Sequence, residues 1–272
     1  MLERPSSRMP VHQEKLGAPL LWGKQGSHVF VSPESDLFSE EVADWVVRAV
    51  FGVMSIRGDL TFLVVTSHPQ RMEGFVRCAT VSLINEAAGR LLSTEWLEGH
   101  RWPHLRHRAN WVPLDKWPLP NVWLGVRAEN QPAADERIPV LLQTPARLRW
   151  VWAEPLQGPI NLRYHFIIPR GNEFGECSVC HWGYTEEEYK ELCDGDAPRS
   201  FANRARHGGR LYCPDCRPRL SLVIVGGKSD PGASPRHSDW AGALRDQCHA
   251  ARVCFWDWGA HAAAEGGRVC RL

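Results

Sequence analysis

Apolar and polar positions alternate with two different periods along the chain, and this predicts strands joined by helices. Six short apolar runs have the length of strands, and most are unbroken, as expected when both faces of a strand are covered. They lie at 28–32, 60–66, 122–126, 147–152, 220–227 and 252–256. Apolar strands separated by helical segments are typical of βαβ units, so we expect a parallel sheet in an α/β fold.

Between these runs the apolar residues recur with the period of a helix. The clearest case is one continuous apolar stripe that runs from Val42 to Met54. Ser39 precedes this stripe and is expected to cap the helix. Further helices are expected within 69–93, around Ile138 to Leu142, and over about 238–250.

The pattern divides the chain into four parts. Residues 1–27 are rich in Pro and Gly and are expected to form an N-terminal surface segment. Residues 28–160 and 220–272 are expected to form the first and last parts of one α/β barrel, the latter with a C-terminal tail. Residues 161–219 interrupt the alternation and are cysteine-rich. The predicted fold is a partial TIM-like (βα) barrel with a zinc-ribbon-like insertion.

Polar side chains and glycines follow most of the predicted strands, at the ends where parallel barrels carry their chemistry. The acidic residues at these ends, Asp36, Glu129 and Glu154, are the candidate catalytic residues. The candidate cofactor contacts are Ser35, Asp36, Asn130, Gly226 and Gly227. For any single strand end, exposure of loops to water explains polar residues more simply, and one Gly-Gly is a weak signal for phosphate. Glu154 is the best candidate because it follows a strand directly and precedes a proline.

Four cysteines form two Cys-x-x-Cys pairs, Cys177 with Cys180 and Cys213 with Cys216. Two such pairs supply the four thiolates of a structural zinc ribbon, although the separation of 32 residues is longer than in the common ribbon. Unrelated free thiols and an auxiliary iron–sulfur cluster are the alternatives. Basic residues flank the pairs, as in zinc modules that contact nucleic acid. Acidic residues of the same insertion offset that charge, so a protein contact or a purely stabilising role is equally open.

Composition narrows the class of protein. A formal net charge of +1 gives no general attraction to nucleic acid or to a membrane. No run approaches the roughly 20 apolar residues of a membrane span, and the N-terminus has no signal-peptide core. We therefore expect a cytoplasmic protein, in which the nine cysteines are metal ligands and free thiols.

Several segments together resemble a family of uncharacterised phage and prophage proteins, which in turn looks like radical-SAM enzymes with a TIM-like barrel. The resemblance covers most of residues 12–259 outside the insertion. Its most specific parts are WPLPNVWLGV, the Glu-Asn-Gln that follows, and AEPLQGPI, supported by VFVSPESDLF, TFLVVTSHPQRM and VIVGGKSDPGASPRHSDW. It implies a [4Fe–4S] cluster and S-adenosylmethionine as cofactors.

The chain departs from this family where that chemistry resides. In the family, a cysteine motif precedes the segment that matches His12 to Trp22, and three thiolates there hold the cluster. Here the first cysteine is Cys78, and the family's Gly-Gly-Glu reads Gly226-Gly227-Lys228. We therefore expect that these 272 residues bind neither cofactor and do not cleave S-adenosylmethionine. The chain is then either a degenerate member or one whose true start lies upstream.

Two functions remain in competition. The first is a radical-SAM-like barrel protein of unknown substrate, truncated or degenerate, that acts on nucleic acid or a nucleotide during phage infection. The alternative is a non-catalytic, zinc-containing binding or regulatory protein that contacts nucleic acid or a partner protein of phage or host.

Overall fold

The computed structural model describes residues 18–21, 26–31, 35–91, 117–166, 219–226 and 238–257. The chain divides into two compact units. Unit 1 comprises residues 1–125 and 144–148, and unit 2 comprises residues 126–143 and 149–272. The described residues form a mixed α/β fold with a parallel sheet.

The described strands are six, and each coincides with one of the predicted apolar runs. They are β1 (His28–Val31), β2 (Thr61–Thr66), β3 (Val122–Arg127), β4 (Leu148–Ala153), β5 (Leu222–Val225) and β6 (Cys254–Asp257). The described helices are α1 (Asp44–Ile56), α2 (Pro69–Cys78), α3 (Val81–Leu91), α4 (Gln131–Gln143), α5 (Arg163–Phe166) and α6 (Ser238–Ala250), and a 3₁₀ turn spans Ala18–Leu21.

The strands follow one another across the sheet in chain order, from β1 to β6. Parallel pairing is registered between β1 and β2, β4 and β5, and β5 and β6. An order that never reverses is that of a barrel-type sheet, whereas a doubly wound sheet reverses at its switch point. The predicted α/β class and parallel sheet are confirmed, whereas closure into a TIM-like barrel is not. The predicted zinc-ribbon-like insertion lies, apart from residues 161–166 and 219, outside the described residues.

Unit 1 is organised around an aromatic cluster of Phe38, Phe51, Phe75 and Trp117. The centroids of Phe51 and Phe75 are 4.9 Å apart, and Trp117 lies 6.0 Å from Phe51. The Trp117 indole N–H also donates to the Val76 carbonyl at 2.9 Å. This hydrogen bond satisfies the polar edge of a large, partly exposed aromatic ring that packs on the cluster.

Helix α1 begins at Asp44, so the predicted capping role of Ser39 is wrong. Ala43 occupies the N-cap position and makes no side-chain capping bond. Ser39 belongs instead to the preceding turn, where its N–H donates to the Asp36 carbonyl at 3.0 Å and its own carbonyl accepts from the N–H of Val42 at 3.0 Å. The apolar stripe starts at the buried Val42, but the hydrogen bonds of the preceding turn keep the helix from starting before Asp44.

The connection from α1 to β2 is fixed by Asn121, which precedes β3. Its side-chain amide donates to the carbonyls of Met54, Arg57 and Leu60 at 3.0, 3.2 and 3.2 Å. The Met54 carbonyl lies in the last turn of α1, and those of Arg57 and Leu60 follow the helix. A helix leaves such carbonyls without backbone partners of its own, so the Asn121 side chain supplies them.

Unit 2 has its core between α4, α6 and the strands. Ile138 and Leu141 of α4, Trp150 of β4, Val223 of β5 and Leu244 of α6 are all fully buried. The predicted helices around Ile138 to Leu142 and over about 238–250 are confirmed as α4 and α6. Among the described helices, none combines the length and the apolar character that crossing a bilayer requires.

Candidate functional site

The carboxyl end of β4 in unit 2 carries a buried carboxylate. Glu154 is only 8% exposed although it follows the strand directly. It lies against the backbone of Gly226, at the end of β5, so closely that an added Cβ there would overlap the Glu154 carboxyl group. The glycine therefore provides the space that the carboxylate occupies. The structure thus brings two of the predicted site residues together.

Trp152 links this carboxylate to a cationic group. Its indole N–H donates to Glu154 Oε2 at 2.7 Å. The Arg127 guanidinium, at the end of β3, lies 5.5 Å from the centroid of the Trp152 ring. Such an arrangement is a cation–π contact. An acceptor, an aromatic face and a cation are thus collected at the ends of adjacent strands.

Side-chain alternation explains this grouping. Residues two apart in a strand point to the same face, so Trp150, Trp152 and the following Glu154 share one face of the sheet. Trp152 pairs in register with Ile224 of β5, and Ile224 pairs with Trp256 of β6. Trp152 and Trp256 are both partly exposed. This face of unit 2 therefore carries two partly exposed indole rings, of which Trp152 contacts the acid.

The two other predicted residues at the end of β3 have local partners. Glu129 Oε2 pairs with the Arg137 guanidinium at 2.9 Å, and the same guanidinium nitrogen donates to the Arg127 carbonyl at 3.0 Å. Asn130 Oδ1 accepts from the Ala133 N–H at 3.0 Å, which is the N-capping bond of α4. Both side chains fix the loop that follows Arg127.

The loop after Glu154 is tied to the loop after β3 and to α6. The Gln157 N–H donates to the Glu129 carbonyl at 2.8 Å. Further along, the Leu162 N–H donates to Gln247 Oε1 at 2.7 Å, and Gln247 Nε2 donates to the Ile160 carbonyl at 3.0 Å. Glu154 is therefore followed by backbone that is held at several points, which preorganises its position.

A second hydrogen-bonded group supports the same loop from α4. Asp135 Oδ1 accepts from Gln131 Nε2 at 2.9 Å and lies 3.1 Å from His165 Nε2. Burial lowers the pKa of His165, and the nearby Asp135 charge opposes that shift. The neutral imidazole then donates from Nε2 to Asp135. Gln131 Oε1 also accepts from the Asn161 N–H at 2.6 Å, which closes the group.

In unit 1, Asp36 ties the ends of β1 and β2 together. Its carboxylate accepts from the Phe38 N–H at 3.0 Å, the Thr66 hydroxyl at 2.6 Å and the Ser67 N–H at 2.6 Å. Thr66 is fully buried and in turn accepts from the His68 N–H at 2.8 Å. Neighbouring Ser35 is exposed. By accepting three hydrogen bonds, the Asp36 carboxylate holds the segment after β1 against the end of β2.

Glu154 and Gly226 are predicted from the sequence, whereas Trp152, which contacts Glu154, and Arg137, which pairs with Glu129, are not. Trp152 was detectable, because it lies two residues before Glu154 in the same strand. Arg137 was not, because its pairing with Glu129 depends on how α4 returns past the end of β3. Gly227 and the four predicted zinc ligands Cys177, Cys180, Cys213 and Cys216 lie outside the described residues.

The described residues do not offer a metal centre. No group of three or more His, Cys, Asp or Glu side chains within the described ranges could hold a metal ion. Of the cysteines in this part of the chain, Cys78 is exposed, Cys254 is partly exposed and Cys248 is buried. Burial, and secondarily Cys254, raises the pKa of the Cys248 thiol to about 12. These three cysteines do not fit the thiolate set of an iron–sulfur cluster.

The chain belongs to the family described as "Protein of unknown function (DUF5131)", which matches residues 2–270. That description names no activity, so the radical-SAM resemblance stays a prediction. No curated protein and no solved structure matches the chain.

Proposed function

We propose that this member of the family is a radical-SAM-like α/β barrel protein that binds a small polar ligand at the strand ends of unit 2. The observation that carries the proposal is the buried Glu154 carboxylate, seated on Gly226 and hydrogen-bonded by the Trp152 indole. A buried acid needs hydrogen-bond partners, and its place at the end of a parallel strand, where barrel folds carry their chemistry, supports a functional role. The strand order without reversal supports the barrel part of the proposal.

The chemistry of the site indicates the kind of ligand. Glu154 accepts hydrogen bonds, so it favours a ligand with an amino group or another N–H donor. The partly exposed Trp152 ring offers a face for stacking, and Arg127 offers a cation beside it. Nucleosides and amino acids combine these features. Action on nucleic acid or a nucleotide remains the proposed setting, with the substrate unnamed.

The proposal does not include radical chemistry by these residues. A cluster that cleaves S-adenosylmethionine needs three thiolates around one open iron, and the four cysteines of the two Cys-x-x-Cys pairs would leave no open position. Asp36, Glu129 and Glu154 stay candidate catalytic residues. Of these, Glu154 has the setting that best suits contact with a ligand.

Thermal unfolding in the presence of amino-bearing probes tests the proposal. We expect at least one of adenosine, cytidine, L-methionine and L-arginine to raise the unfolding temperature of the wild type in a saturable way. The shift should disappear in Glu154→Gln, which keeps the shape of the side chain and removes its charge. Glu136→Gln, an exposed acid on α4, is the matched control and should retain the shift. No shift with any probe, or equal shifts in both variants, would remove the site.

The alternative function, a non-catalytic zinc-containing binding or regulatory protein, is favoured by the two Cys-x-x-Cys pairs. Four thiolates in a reducing compartment are the ligand set that structural Zn²⁺ takes. In this alternative the strand-end residues maintain the fold, and the insertion contacts nucleic acid or a partner protein. A zinc site and a ligand site can also coexist in one chain.

A further inference from the structure

Unit 1 contains a cavity of about 350 Å³ that the proposed function does not use. It is lined by residues of α1 and α2, by Ala79 and Leu83 at the start of the following segment and α3, and by Phe38 of the turn before α1. It shares no residue with the strand-end site of unit 2. Small-molecule sites usually have about 300–1,000 Å³. The cavity therefore has room for a compact ligand of one or two rings.

One side of the cavity is formed by rings of the aromatic cluster. Phe75 lines it with a partly exposed ring, and the fully buried Phe38 ring packs on Phe75 with centroids 5.9 Å apart. Phe75 is held from behind by Phe51 at 4.9 Å and by Trp117 at 6.5 Å. Because these rings pack on one another, the aromatic wall is preformed, and a ligand need not order it. Such a wall favours an aromatic ligand through stacking or edge contacts.

The charged side chains of the cavity leave a net positive charge. Arg71 pairs with Asp44 at 2.8 Å and donates to the Val42 carbonyl at 2.5 Å. It also donates to the Ser39 carbonyl. Within the described part of the chain, Arg48 is exposed, lines the cavity and makes no hydrogen bond or ion pair. Since Asp44 is matched by Arg71, the Arg48 guanidinium determines the sign of the charge that the cavity accepts.

We propose that this cavity binds a small aromatic carboxylate, with its ring against Phe75 and its carboxylate on Arg48. A guanidinium recognises a carboxylate through two parallel N–H donors, which gives orientation as well as attraction. A cationic ligand would face Arg48, and a neutral aromatic ligand would leave this cation without a partner. The size, the aromatic wall and the charge thus select the same class of compound.

The test uses 1-naphthoate as the probe and Cys78 as an internal reporter. Cys78 is exposed and lines the same cavity, so a bound ring should slow its alkylation by iodoacetamide. Peptide-resolved mass spectrometry follows this cysteine separately from the others. We expect saturable protection of Cys78, and binding of 1-naphthylmethanol at least tenfold weaker than binding of 1-naphthoate.

Two arginine variants decide the role of the charge. Arg48→Gln should weaken 1-naphthoate binding about tenfold, as expected for loss of one charge-assisted contact, with little change for the alcohol. Arg147→Gln, an exposed arginine of the same unit outside the cavity, should bind like the wild type. Absence of protection, equal affinity for acid and alcohol, or unchanged binding in Arg48→Gln would each overturn the proposal. The readouts do not involve Glu154, so this result is independent of the strand-end site.

Discussion

The position of Glu154 depends on Trp152, which the sequence places two residues earlier, and on contact with Gly226, which the sequence does not reveal. Its place after β4 and the indole two residues earlier are visible in the sequence RWVWAE, given the period of two along a strand. The close approach of Gly226 depends on the register between β4 and β5, which no local pattern specifies. Sequence alone could therefore find the acid and the glycine, but not that they touch.

Gly226→Ala should destabilise the protein and displace the acid. The added Cβ overlaps the Glu154 carboxyl group, so Glu154 must leave its position and give up the bond from Trp152. We expect a loss of about 1–3 kcal/mol in the free energy of unfolding, as in other overpacked sites. Denaturant titration measures it.

A double-mutant cycle tests whether overlap with Glu154 causes the loss of stability in Gly226→Ala. In a Glu154→Ala background the overlap is gone, so Gly226→Ala should cost much less there than in the wild type. Gly158→Ala is the matched control, because nothing lies within 4 Å of its added Cβ. Equal costs of Gly226→Ala in both backgrounds would show that the glycine serves another purpose.

Because the pKa of His165 is lowered, we expect the free energy of unfolding to decrease in mild acid. Burial lowers its pKa in the folded state, so below the ordinary value of 6.5 the unfolded chain binds more protons than the folded one. The free energy of unfolding contributed by the neutral ring is present above pH 6.5 and is lost as the pH falls from there toward the lowered folded-state pKa.

Denaturant titrations at several pH values between about 7 and 5, the range in which histidine changes charge, should show the free energy of unfolding falling with pH. His165→Gln should flatten this slope, and His249→Gln, an exposed histidine of α6, should leave it unchanged. A residual slope in His165→Gln is expected, because burial also lowers the pKa of His28. A slope in His165→Gln as steep as in the wild type contradicts the assignment.

At the scale of elements, the apolar runs predicted the strands well, whereas the helix boundaries could not be predicted because local turns set them. All six predicted strands are present within two residues of their ends in the described chain. The region 69–93 forms two helices, α2 and α3, and no Gly or Pro marks the break at Ala79 and Thr80. The start of α1 moved because Asp36 and Ser39 organise a turn that competes with the helix.

Helices α1 and α3 approach closely at Gly52, and this contact has a testable cost. An added Cβ at Gly52 would lie 3.0 Å from the backbone nitrogen of Ala88 and 3.3 Å from its Cα. Backbone atoms cannot move aside as a side-chain tip can, so Gly52→Leu must separate the two helices. We expect a destabilisation of about 1–3 kcal/mol or more, read from denaturant unfolding.

Gly74 supplies the control for this prediction. It lies in α2, is exposed and has nothing within 4 Å of its added Cβ. Gly74→Leu should therefore be neutral or stabilising by up to about 1 kcal/mol, because leucine has the higher helix propensity. If both variants lose the same stability, the close approach at Gly52 is not the reason.

At the scale of the whole molecule, the parallel sheet could be predicted, but its closure could not. Alternating strands and helices determine parallel pairing, since parallel strands need crossover connections. Whether such a sheet closes depends on strand number, tilt and stagger, which apolar runs do not encode. The same limit applies to function, because fold and family membership leave the reaction open.

The zinc prediction concerns the cysteine-rich insertion and is the direct test of the alternative function. Purified protein should contain about one zinc per chain, held by Cys177, Cys180, Cys213 and Cys216, as two Cys-x-x-Cys pairs bind one tetrahedral ion. Cys213→Ser should lose most of it, because three thiolates bind structural zinc far more weakly than four. Cys78→Ser keeps all four predicted ligands and should retain the metal. Elemental analysis of the three proteins, purified without added metal, gives the answer. Equal zinc in Cys213→Ser and the wild type would remove the site, and with it the alternative of a zinc-dependent binding protein, while the ligand test at Glu154 would still stand.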